Sequence, residues 1–136
     1  MTPAERLSGR MPTEHDIEEV ARATLARLPS PFRESLSDVV LQIEPVADAA
    51  TARSVGLTHP MQLSGLYQGV PLNQQSVSYP TILPERITLY SRPILAEWRS
   101  TRVSLAQLVA HIVIHEVGHH FGFSDDDMHA LEDQAE

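Results

Sequence analysis

Residues 105–125 read LAQLVAHIVIHEVGHHFGFSD, and they carry the clearest helical pattern in the chain. Apolar residues recur through it at helical spacing, and Ser104 immediately before it is a typical N-cap. Gly122 is a typical helix end, because glycine readily adopts the left-handed conformation that closes helices. The pattern therefore predicts a helix from Leu105 to about Phe121, the strongest in the chain.

Two histidines of this predicted helix are spaced for metal binding. His115 and His119 lie one turn apart on the same face, with Cβ atoms roughly 5–6 Å apart. Imidazoles so placed can bind one ion at nitrogen–zinc distances of about 2.0–2.1 Å. Glu116 lies about 100° around the helix from His115. It would flank the ion instead of binding it, as a general base acting on metal-bound water must do.

The residues that follow make the motif more specific. HExxH alone is a weak signal in a chain with seven histidines, but here it extends to HExxHxxGxxD through Gly122 and Asp125. A left-handed turn at the glycine lets the chain double back, so that the Asp125 carboxylate reaches a third ligand position. Three protein ligands leave a fourth position for water, which is the arrangement of a catalytic zinc site. We therefore predict that His115, His119 and Asp125 bind zinc.

Other assignments of these residues stay open. Asp125 is also a candidate N-cap for a last helix predicted over residues 126–134, and Asp126 and Asp127 compete with it for either role. Imidazole plus carboxylate also suits iron, manganese or nickel.

The remaining histidines near the motif have more ordinary explanations. A straight helix does not easily direct three successive turns at one tetrahedral ion, so His111 is expected to be structural or to contact substrate. His120 is expected to point away from the metal into the core. His129 is expected at the surface, with a role as an extra ligand as the alternative.

Composition narrows the class of protein. The 136 residues predict one domain over residues 1–136, and the absence of cysteine excludes disulfides and thiolate metal sites. A formal net charge of -8 disfavours nucleic acid and anionic membranes as partners. No secretory signal is visible at the N-terminus, and the longest near-apolar stretch, residues 103–114, is too short to cross a bilayer. These features predict a soluble, cytoplasmic protein.

The rest of the chain predicts a small sheet with helices packed mainly on one face, which is an α+β fold. Helices are expected over residues 13–28, around 94–99 and over 126–134, with an ambiguous helical turn within 51–60. Strands are expected over residues 38–45, around 65–70 and over 86–91. Residues 71–84 are expected to form a long irregular connection, a kind of loop that is often functional.

The second half of the chain resembles the minimal zincin-like metallopeptidases of bacteria, whose motif is the Asp-type zincin pattern HExxHxxGxxD. The resemblance rests on GLYQGVPL from Gly65, RITLYSRPIL from Arg86 and HEVGHHFGFSDDDM from His115. It implies a zincin-like fold with His115, His119 and Asp125 as zinc ligands and Glu116 as catalytic base. It also implies that the strand at residues 65–70 is the sheet edge that pairs with a peptide substrate.

The resulting functional expectation is a zinc-dependent peptidase with a peptide or protein substrate. Tyr67, Tyr79 and Tyr90 are candidate oxyanion donors, although ordinary packing explains each of them, and Trp98 is expected to pack in the core or at an interface. The chain carries no tyrosine after Asp125 to brace the site. The alternative is a non-catalytic metal-binding or peptide-binding module, and an exposed edge strand also admits a homodimer.

Overall fold

The computed structural model describes residues 11–69 and 85–122, together with Asp126 and Ala130. The helices are α1 (Glu14–Ala26), α2 (Phe32–Ser35), α3 (Ala49–Ser54), α4 (Ser91–Ser100) and α5 (Leu105–Phe121), with a 3-10 turn at Pro60–Gln62. The strands are β1 (Val40–Glu44), β2 (Gly65–Gln68) and β3 (Arg86–Tyr90). The predicted α+β fold is confirmed.

The described strands form one mixed sheet in the order β1-β3-β2. β1 pairs with β3 in parallel, with Val40 opposite Arg86. β2 pairs with β3 antiparallel, with Gly65 opposite Leu89. β3 is therefore the central strand, and β2 lies at an edge of the described sheet, as the sequence predicted.

The main core lies between one face of the sheet and the two long helices. Ile87 and Leu89 alternate along β3 and therefore share a face, where they are fully buried. They pack in one cluster with Ile17 of α1 and Val113 of α5. Burial of each such side chain contributes about 1.5–3 kcal/mol. The opposite face of β3 is also covered, because Tyr90 forms a second buried cluster with Ala47 and Leu63.

Both long helices begin with the capping pattern that their sequences contain. The Thr13 side chain accepts a hydrogen bond from the Asp16 backbone N–H, and the Asp16 carboxylate accepts one from the Thr13 N–H. Ser104 accepts from the Gln107 N–H in the same way, at 3.1 Å. These reciprocal bonds satisfy backbone groups that the first helical turn would otherwise leave unpaired.

The structure differs from the sequence prediction in two helices. The short helix α2 was not predicted, and α4 begins at Ser91, three residues before the predicted start. Proline is tolerated in the first turn of a helix, where its missing N–H has no partner to lose, so Pro93 fits inside α4. The segment at 51–60 resolves into the end of α3 and the approach to the 3-10 turn.

Two predicted segments lie outside the described residues. The whole connection at 71–84 lies in the undescribed range 70–84, and the last helix is described only at Asp126 and Ala130, both helical. Within the described ranges, no helix has the length and apolar character required to cross a membrane.

The N-cap of α5 provides a test of this fold. We expect Ser104→Ala to lower the free energy of unfolding by about 1 kcal/mol, because the Gln107 N–H loses its acceptor. Ser37→Ala, at an exposed serine outside the helices, should leave stability within about 0.5 kcal/mol of wild type. Denaturant unfolding measures both values. Equal stability of the two variants would contradict the assigned helix start.

Candidate metal centre

One turn of α5 brings together three side chains of the motif. The rings of His115 and His119 meet edge to face, with centroids 4.6 Å apart. Both histidines are exposed, whereas Glu116 between them is 5% exposed. The turn therefore presents two imidazoles to solvent above a buried carboxylate.

These three residues are able to share one ion. Among the described residues, one ligand atom from each of His115, Glu116 and His119 lies within 4.8 Å of the others. Two nitrogens on one zinc ion are at most about 4.2 Å apart, given bonds of about 2.0–2.1 Å. Small rotations of the side chains are therefore enough for both histidines to bind the same ion. The donor set of imidazole and carboxylate is also one that zinc accepts.

The Glu116 carboxylate is held at the edge of this site. Its Oε1 lies 3.1 Å from Nδ1 of His119, within hydrogen-bonding distance. On its other side it contacts β2, because a Cβ built on Gly65 would lie 3.3 Å from Glu116 Cγ and 2.8 Å from Ile112 Cγ2. The close approach of strand and helix thus requires glycine at position 65. It also fixes the acid beside the sheet edge.

The chain leaves the helix as the sequence predicted. Gly122 has φ 72° and ψ 31°, the left-handed conformation, and its N–H donates to carbonyls of the last turn. This bend is the one that would direct the following residues back toward the histidines. Asp125 itself lies outside the described residues, so its role as third ligand remains a prediction.

The structure describes two of the other histidines near the motif. His111 is exposed one turn before the motif and is not in the group of described residues able to share an ion. His120 is 2% exposed and faces away from the two ligand candidates, with its Nδ1 in close contact with the Glu85 carboxylate. His129 lies outside the described residues. Sequence reasoning missed Glu85, because no local pattern indicates a long-range partner.

The two described tyrosines are packed within the domain, Tyr67 against the main core and Tyr90 in the second cluster. The Tyr67 hydroxyl is buried, and burial, together with the nearby Glu85 charge, raises its pKa well above the ordinary value. Tyr90 is 3% exposed, and its pKa is raised by burial and by Glu44 and Asp48. Tyr79 is not among the described residues. Trp98 packs against the main core, as expected.

Comparison with known proteins identifies the family of this chain. A family model described as zincin-like metallopeptidase matches residues 36–135, which is most of the chain and includes the whole motif. No curated protein matches this chain. The match confirms the resemblance drawn from the sequence. It also agrees with the described three-stranded sheet and with the helix beside it, whose two histidines are close enough to hold one metal ion. The chain belongs to the zincin-like metallopeptidase family.

Proposed function

We propose that this protein is a zinc-dependent peptidase that hydrolyses peptide bonds. The observation that supports it most directly is the pairing, on one helical turn, of two exposed imidazoles with a buried acid beside a sheet edge. Membership of a metallopeptidase family supports the same reaction class. In this proposal residues 1–136 form one cytoplasmic domain, and the substrate is a peptide or protein.

The zinc ligands in this proposal are His115, His119 and Asp125. The two histidines come from one face of α5, and the aspartate returns to them after the Gly122 bend. A zinc ion in such a site supplies Lewis acidity, which polarises a carbonyl and lowers the pKa of water toward about 7. Iron, manganese and nickel are tested against zinc by metal analysis of protein purified without a histidine tag.

Glu116 supplies the proton transfers. Its carboxylate takes a proton from the attacking water and delivers it to the leaving amine nitrogen. Packing against Gly65 holds this side chain in place, and burial excludes most water from it. A general base of this kind must be fixed within hydrogen-bonding reach of the water, and the surrounding contacts achieve that restriction.

The substrate binds along β2 in an extended conformation. In this proposal the substrate pairs through backbone hydrogen bonds with the edge of β2 that β3 does not occupy. The contact of Gly65 with Glu116 supports this arrangement, because it brings the strand beside the acid. A peptide added as the next strand would therefore pass close to the proposed zinc site.

The assignment of Glu116 is tested by Glu116→Gln. We expect kcat to fall by a factor of about 10²–10⁴, the usual contribution of a general base, while zinc still binds. Peptidase assays on a peptide library, together with zinc titration, measure both effects. The matched control is Glu97→Gln, at an exposed position of α4, which should keep full activity. If the Glu116 variant hydrolyses peptides as fast as wild type, Glu116 is not the base. If neither protein hydrolyses any peptide, the domain is a non-catalytic binding module.

The third ligand is tested by comparing neighbouring aspartates. We expect Asp125→Ala to weaken zinc binding by more than about 100-fold, since loss of a residue that only supports a ligand already costs 10–100-fold. Asp126→Ala should bind zinc like wild type. Competition with a chelator measures both dissociation constants. The reverse pattern would assign the ligand to Asp126.

The close approach of β2 to the acid is tested by Gly65→Ala. An added Cβ would collide with Ile112 and displace Glu116. Since misplacement by about 1 Å can cost about 10²-fold in rate, we expect a comparable fall in kcat with zinc affinity near wild type. Ser64→Ala, one residue earlier, is the control and should retain activity. If kcat of the Gly65 variant is unchanged, the position of the Glu116 carboxylate does not affect the rate. Glu116 is then not the base.

A further inference from the structure

A buried polar cluster lies beside the last turn of α5, and the proposed reaction does not use it. It consists of Tyr67 on β2, Glu85 immediately before β3, and His120 on α5. Nδ1 of His120 contacts the Glu85 carboxylate, and the two side chains are 2% and 13% exposed. The Tyr67 and His120 rings meet edge to face at 5.7 Å between centroids. Burying three ionisable groups together is costly unless they are paired with one another.

The cluster is packed too tightly to admit another side chain. A Cβ at Gly69, the residue after β2, would lie 2.9 Å from both Glu85 Cγ and the Tyr67 hydroxyl. Gly69 also has φ 148°, a conformation that other residues rarely adopt. This cluster therefore brings three chain segments into contact: the end of β2, the start of β3 and the end of α5.

β2 contacts α5 at this point and also at its first residue. Gly65 meets Glu116, and Tyr67 meets His120. Two residues of strand advance about 6.7 Å, and four residues of helix advance about 6 Å. The strand and the helix thus keep nearly the same spacing between the two contacts. The part of α5 between these two contacts, from Glu116 to His120, contains His119, the second histidine of the motif.

We propose that Glu85, Tyr67 and His120 position the metal site. Because His119 and His120 are consecutive, the rotation of the last turn that brings His120 to Glu85 also sets the direction in which the His119 ring points. Glu85 therefore acts on the ion through His120 and the helix backbone, without touching the ion. This inference rests on the proposed zinc site.

The test is zinc affinity in Glu85 variants of the full chain. We expect Glu85→Ala to weaken zinc binding by about tenfold, the lower end of what loss of a supporting group costs. The Co²⁺-substituted protein should show an altered absorption spectrum, because the ligand geometry changes. Glu85→Gln keeps an oxygen acceptor and should lose less affinity. Competition with a chelator gives the dissociation constants. If Glu85→Ala does not fold, the zinc affinity of Glu85→Gln decides the result.

A control separates positioning from general stability. Ile17→Val removes one methyl group from α1 in the main core, and Ile17 is not a member of the polar cluster. It should lower the melting temperature yet bind zinc like wild type. Positioning by Glu85 is overturned if the folded Glu85 variants match wild type in affinity and cobalt spectrum, or if Ile17→Val loses as much affinity. Failure of the wild-type protein to bind zinc would instead refute the proposed function, and the positioning role with it.

Discussion

The close contact between β2 and α5 is the constraint on which the rest of the site depends. A strand can approach a helix this closely only where one partner has no side chain, and Gly65 meets that condition against Ile112 and Glu116. The contact keeps the acid buried beside β2, while His115 and His119 stay exposed. Without it, the metal face of the helix and the proposed peptide-binding edge would have no fixed relation to each other.

The helix α5 has to satisfy opposite demands along its length. Val109, Val113 and Val117 are fully buried and hold the helix in the core. Its exposed strip carries His111, His115 and, one turn later, the second ligand candidate. A helix buried on most of its surface leaves little freedom for rotation about its axis. The same packing that stabilises the domain therefore points the imidazoles toward solvent, and stability and function are not separable in this element.

The sequence predicted the parts of the fold that depend on local patterns. The start of α5 at its capping box and its end at Gly122 follow from residues a few positions apart, and both were predicted correctly. The short helix α2 was missed because four residues between turns carry no detectable period. The contact of Glu85 with His120 was also missed, since it joins residues far apart in the chain. Two of the candidate ligands are brought together as predicted, and the third lies beyond the described residues.

The parallel pairing of β1 with β3 has a consequence for how the chain acquires its shape. Val40 pairs with Arg86, and everything between them must be brought into place before that ladder closes. Non-local contacts of this kind slow folding, because the entropy of closing the loop is lost before the contacts form. During synthesis from the N-terminus, β3 emerges after β1 and β2, and His115 and His119 emerge after β3. A metal ion held by these two histidines would therefore be bound only after the three described strands have been made.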